Sequence, residues 1–197
     1  MALSKLALVL AAAASLPLGA CMTMTNDGTA MSGMETEQTA MVGGAAMYPS
    51  KTIVANAVNS RDHTTLVAAV KAADLVDTLS GAGPFTVFAP TNAAFAALPA
   101  GTVETLLRPE NKAMLQNVLT YHVVPGRITA ADLMAQMQAG GGTARLTTVQ
   151  GGTLTARMQG DSVVLVDAKG GTATVTQANV MQSNGVIHVT NAVSLPS

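Results

Sequence analysis

Tryptophan is absent from this chain of 197 residues, and it has only three phenylalanines and two tyrosines. So few rings leave little surface for stacking bases or sugars, which argues against a nucleic-acid reader and against an aromatic-platform lectin. Charge is also scarce. Charged residues make up 11% of the chain, against about 25% in ordinary domains. The formal net charge is −1, so there is no electrostatic footprint for nucleic acid. A single cysteine, Cys21, leaves no pair for an internal disulfide, and the fold must rest on its core alone. G-x-S-x-G, H-E-x-x-H, P-loop and Rossmann glycine patterns are all missing. A Ser-His-Asp site is assembled in space and leaves no such trace, but nothing in the sequence points to one. The expectation is a protein that is not an enzyme, with no cofactor and no metal in its folded domain.

The scarce rings are not scattered. Phe85, Phe88 and Phe95 all fall within Gly83–Leu98, so the core is expected to centre there. The stretch reads as strand, turn and helix. Phe85, Val87 and Ala89 point one way, and Thr86, Phe88 and Pro90 the other. Two largely apolar faces predict a strand covered on both sides. Thr91 or Asn92 is placed to cap the helix that follows.

Before this stretch, Ile53, Val54, Ala57 and Val58 recur at helical spacing, and so do Leu66, Val67, Val70 and Ala73, with Thr64 as a cap between them. After it come helical pieces at Val103–Leu107 and Glu110–Leu119, a strand at Tyr121–Val124, and a helix at Ala130–Gln138 capped by Thr129. Met114, Met134 and Met137 are expected to face inward from these helices. Gly140–Gly142 marks a change to alternation with glycine-containing turns. Leu154, Ala156 and Met158 are expected inside, and Thr153, Thr155 and Arg157 outside. Val163–Val166 reads as an interior strand, Thr172–Gln177 as an alternating one, and Asn184-Gly185 as a tight turn into Val186–Thr190. Helices first and strands later predict an α+β single domain.

The N-terminal region reads differently. Residues 1–20 resemble a signal peptide, with Lys5 at its start and an apolar run, Leu6–Leu16, too short to span a membrane. Leu18-Gly19-Ala20-Cys21 is similar to the bacterial lipobox, which makes Cys21 the lipid-bearing first residue of a mature lipoprotein. Several acyl chains on one residue give stable anchoring at about 0.8 kcal/mol for each buried CH₂. Residues 21–48, rich in Met, Thr and Gly, are read as a flexible tether with an average reach of roughly 30 Å. Its methionines (Met22, Met24, Met31, Met34, Met41 and Met47) are soft ligands whose spacing permits Cu(I). A tether rich in Met by drift, or an oxidation sink, is the other reading of the same residues.

Three segments then point to a family. TVFAPTNAAFAALP, starting at Thr86, YHVVPG, starting at Tyr121, and NGVIHVTNAVSLP, starting at Asn184, resemble in order the signatures of the fasciclin domain. The resemblance implies a β-sandwich or wedge with packed helices over residues 49–197. One departure is Asn191, where the family often has Asp, implying loss of a buried charge-assisted hydrogen bond. In animal members the Tyr-His segment has been linked to integrin binding. That makes Tyr121 and His122 the candidate interaction residues, beside a plainer reading of His122 as a half-buried ring hydrogen-bonded to backbone. His63 is expected to be exposed, and His188 to lie at a sheet rim.

The resemblance implies a non-enzymatic module, lipid-anchored in the cell envelope and acting in cell adhesion or in surface, matrix or biofilm association. Its expected partners are the membrane, through the lipid on Cys21, and a protein or polysaccharide, but not nucleic acid. Met22, standing where Asp would retain the protein in the inner membrane, favours the outer membrane, with the domain facing the periplasm or the surface. The alternative is a carrier of a small lipophilic ligand, since some fasciclin relatives carry such pigments.

Overall fold

Strand β3 (Phe85–Pro90) is the axis of the computed structural model, which describes residues 39–196. It pairs antiparallel with β4 (Val123–Pro125) and parallel with β9 (Gly185–Thr190), in register from Phe85 opposite Gly185 to Pro90 opposite Thr190. Val87 and Ala89 enter one apolar core with Phe85 packed against it, while Phe88 enters a second core on the other face. The two-faced burial expected from the sequence is therefore literal. Phe95 joins the first core from the next helix.

The main sheet has seven strands in the order β4-β3-β9-β8-β7-β6-β5. β5 (Thr143–Thr147), β6 (Thr153–Gln159), β7 (Ser162–Val166) and β8 (Thr172–Gln182) form an antiparallel meander that joins β9. The sheet curls until its edges meet. Val149 N–H, just past β5, donates to Val123 O of β4 at 2.8 Å. The result is a nearly closed wedge whose interior is the second core.

Helices α1 (Ile53–Ala57), α2 (Thr64–Ala72), α3 (Val76–Ser80), α4 (Asn92–Ala96), α5 (Thr102–Leu106) and α6 (Lys112–Tyr121) supply the first core. Helix α7 (Ala130–Ala139) covers the second with Leu133 and Met137. Four of these helices are single turns of five residues. They are far too short to persist alone, so packing and caps hold them. Thr52 and Thr91 each accept a backbone N–H at 3.3 Å. Thr129 and Asp132 form a reciprocal capping box.

Several expectations change. Thr64 is the first residue of α2, not its cap, because a 3₁₀ turn at Arg61–His63 leads into the helix. Met114, Met134 and Met158 are exposed. Met114 and Met134 lie at the margins of their helices' apolar stripes, where flexible thioethers tolerate water, and Met158 keeps the face of Leu154 and Ala156 but stands near the end of β6. Strand β8 continues to Gln182, five residues beyond the expected end. Irregular register between Val175 and Val180, with Asn179 at φ 59°, breaks the alternation that marks a strand.

The N-terminal boundary also moves. Residues placed at the end of the tether form a hairpin, β1 (Ala40–Val42) and β2 (Ala45–Met47), around Gly43-Gly44 at φ 57° and 74°. A two-residue turn with both φ positive is a hairpin turn, not a linker. Val42 and Met47 are buried in the first core. Residues 1–38, with the leader, Cys21 and most of the tether, lie outside the described residues. No described helix is long and apolar enough to cross a membrane.

Candidate functional site: the Tyr121–His122 latch and its groove

Helix α6 ends at Tyr121, with His122 as its C-cap. The two side chains diverge into different cores. The Tyr121 ring lies in the second core against Gly152, where a Cβ would come within 2.8 Å of the ring. Its hydroxyl donates to Thr153 O at 2.7 Å and accepts from Ala168 N–H at 3.1 Å. Burial pushes the phenol up from its ordinary value. His122 Nε2 accepts the Ser194 N–H at 3.0 Å, which leaves Nδ1 to carry the proton and donate to Val118 O at 2.7 Å. Burial pushes this ring's pKa below the usual histidine value. Relative exposure is 0% for Tyr121 and 3% for His122. A partner therefore meets neither side chain, which corrects the expectation of a contact pair at the surface.

His122 fastens the C-terminal segment, and Tyr121 holds the β7–β8 turn beside it through Ala168. Beside the Ser194 bond, Leu195 N–H donates to Asp167 Oδ2 at 2.9 Å. Asp167 Oδ1 accepts Lys169 N–H at 3.0 Å and Gly171 N–H at 2.7 Å, closing the β7–β8 turn. The sequence reading missed Asp167. A carboxylate two residues before Lys-Gly-Gly is a local signal for an Asx turn, but only the fold brings it to Leu195. Asn191 lies nearby and exposed. Its Oδ1 accepts Thr174 N–H at 2.8 Å, and its N–H donates to Thr174 O at 3.1 Å. The amide thus makes the acceptor bond in water's reach, and the expected loss of a buried charged bond does not arise.

Over the latch runs a groove of about 440 Å³, bounded by Leu106, Met114, Asn117, Val118, Lys169 and Leu195. Leu106 and Val118 are buried at its base, while Met114 is 56% exposed. Each wall is tied to the latch: α6 through Val118 O, the β7–β8 turn through Asp167, and the C-terminal segment through Ser194 and Leu195. The groove thus has an apolar base with the Asn117 amide and the Lys169 ammonium at its rim.

The other histidines are internal too. His63, expected to be exposed, is buried, with Nδ1 2.9 Å from Ser60 Oγ. This Ser–His contact is buried beneath Gly43, where a Cβ would reach within 2.4 Å of Ser60 Oγ. His188, expected at a rim, is fully buried on an interior strand, stacked on Phe88 with centroids 5.5 Å apart, and bonded through Nε2 to Ile128 O at 2.8 Å. The three rings stand in three separate environments. Among the described residues no group of three or more His, Cys, Asp or Glu is placed to hold a metal. Of the tether methionines, Met47 is core and Met41 is exposed, and the other four lie outside the described residues. An apolar cavity lined by Ile53, Leu66, Val70, Leu79, Val87 and Phe88 measures about 40 Å³. Small-ligand sites run from about 300 Å³ upward.

The fasciclin-domain sequence profile matches residues 61–196. The chain belongs to the fasciclin domain family. It is 55% identical over 168 residues to Protein sll1483 of Synechocystis sp., covering 85% of this chain and 86% of that one. It is 37% identical over 145 residues to the Immunogenic protein MPB70 of Mycobacterium bovis, covering 71% and 66%. Among solved structures it resembles a FAS1 domain pair from the insect cell adhesion molecule fasciclin I. The TM-score is 0.67 at 18% identity, over 74% of this chain and 51% of that one. At that identity the likeness concerns the fold.

Proposed function

We propose that this chain is a non-enzymatic, lipid-anchored interaction module of the bacterial envelope, acting in adhesion or in surface and matrix association. The observation that carries this reading is membership of the fasciclin family by a domain that fills the described chain. The likeness in fold to a domain pair of an insect cell adhesion molecule supports it. The lipobox-like Leu18–Cys21 sequence supports the anchor, and Met22, where Asp would retain the protein in the inner membrane, supports an outer-membrane address. On this reading Tyr121 and His122 act from beneath, holding the walls of the groove. The lipophilic-carrier alternative has less support, because the wholly apolar cavity is small and the larger groove carries an amide and an ammonium.

The test is deletion of the gene with complementation by wild type, by Cys21→Ala and by His122→Ala. Deletion should lower surface attachment, wild type should restore it, and Cys21→Ala should leave the protein unanchored and attachment unrestored. His122→Ala should lower the melting temperature more than it lowers attachment per folded molecule. Attachment unaffected by deletion would sink the proposal.

A further inference from the structure

The ribbon β5–β8 gives one face to the second core through Ala144, Leu146, Leu154, Ala156, Leu165 and Ala173. On β5 and β6 the other face points to solvent. Thr143 and Arg145 of β5 stand there beside Thr155 and Arg157 of β6. Pairing sets Thr143 opposite Arg157 and Arg145 opposite Thr155. The two arginines therefore lie on a diagonal, with Cβ atoms about 7–8 Å apart in ordinary antiparallel geometry. β7 then interrupts the face with Val164, which is buried, and Val166, which is half-buried, before Thr172 and Thr174 of β8.

Among the described residues nothing neutralises the charges on this face. Neither Arg145 nor Arg157 makes a salt bridge or hydrogen bond with any described residue. Asp161 sits at the tip of the β6–β7 hairpin, beyond the Gln159–Ser162 pair. Asp167 is buried and committed to backbone N–H groups. Two like charges held close on a rigid sheet repel each other, and an external anion relieves that repulsion.

We propose that this face binds an acidic polysaccharide, a polymer of carboxylated sugars. Guanidinium groups accept carboxylates in a forked geometry. Threonine hydroxyls both donate to and accept from sugar hydroxyls and ring oxygens. The face carries no aromatic ring, so neutral glucans find no stacking platform and bases find none either. Two exposed cations give weak, salt-sensitive binding for each copy. An array of anchored copies strengthens it through multivalency. The biological setting rests on the proposed adhesion role, whereas the binding itself is a property of the sheet.

The experiment passes the full-length protein in detergent over alginate resin and dextran resin at low ionic strength. Wild type should be retained on alginate, elute with added salt, and pass through dextran. The double variant Arg145→Glu/Arg157→Glu should lose alginate retention with an unchanged melting temperature. If that variant melts early, Arg145→Gln/Arg157→Gln is the replacement and should also lose retention. Wild type passing straight through alginate, equal retention of the folded double variant, or stronger retention on single-stranded DNA would each overturn the inference. Cell attachment is scored separately. A deletion defect rescued by the double variant leaves the adhesion role standing and removes this face from it.

Discussion

At the scale of single residues, the polar side chains do structural work that their exposure in the sequence does not advertise. Asn184 is buried and makes three bonds, accepting Ile53 N–H and donating to the carbonyls of Leu79 and Gly81. Asn56 ties the Tyr48 backbone to the Gln182 side chain. The histidines His63, His122 and His188 are all buried and neutral, with burial holding each below the ordinary 6.5. Asp62 beside His63 and Asp167 near His122 pull the other way without overcoming burial. The unfolded chain takes up protons near pH 6.5 while the folded chain resists to lower pH. Below that point the unfolded state binds more protons, so stability falls as pH falls. Melting temperatures should be level above about pH 7 and decline steadily from about pH 6.5 to about pH 5. A thermal melt series followed by circular dichroism checks this, and a flat profile across that window would refute it.

At the scale of elements, one close approach governs how the central strands meet. A Cβ on Gly185 would lie 2.0 Å from Phe85 O and 2.9 Å from its carbonyl carbon. Both are backbone atoms of the paired strand, so neither can move aside without parting β3 from β9. Gly185→Ala should therefore cost about 3 kcal/mol. Gly170, at φ 82° in open space, is a contrasting case. Asparagine tolerates that conformation, and Gly170→Asn should cost less than about 1 kcal/mol. Urea denaturation of the two variants distinguishes a packing requirement from a conformational one. The elements with a strong period or cap were legible from sequence: β3, α2, α7 with its Thr129 box, and β7. The second half of β8 was not, because its bulges cancel the alternation.

At the scale of the whole molecule, stability rests on burial. Among the described residues a single ion pair, Lys112 with Asp74, is present, and it lies at the surface, where such pairs contribute about 0–1 kcal/mol. The two cores share the sheet as a wall, and the N-terminal hairpin completes the first of them. Met47→Ala should cost about 2–4 kcal/mol as a buried large-to-small change. Met41→Ala, on the same hairpin but 60% exposed, should be close to neutral. Equal midpoints for the two variants in chemical denaturation would return the hairpin to the tether.

The sequence by itself determined the family, the α+β class, the two-faced central strand and most helix positions. Each of these is written in local periods, caps and three matched segments, which need no knowledge of distant contacts. Tertiary structure alone decided the burial of His63 and His188, the withdrawal of Tyr121 from the surface, and the fastening of Leu195 to Asp167. It also decided the inclusion of Met47 in the core. These depend on pairs far apart in the chain. A histidine beside apolar neighbours, or a methionine after glycines, reads the same locally whether or not a second element closes over it. Closure of the sheet, β4 against the end of β5, excludes water from Tyr121 and His188, while the N-terminal hairpin and the helices of the first core close over His63 and Met47.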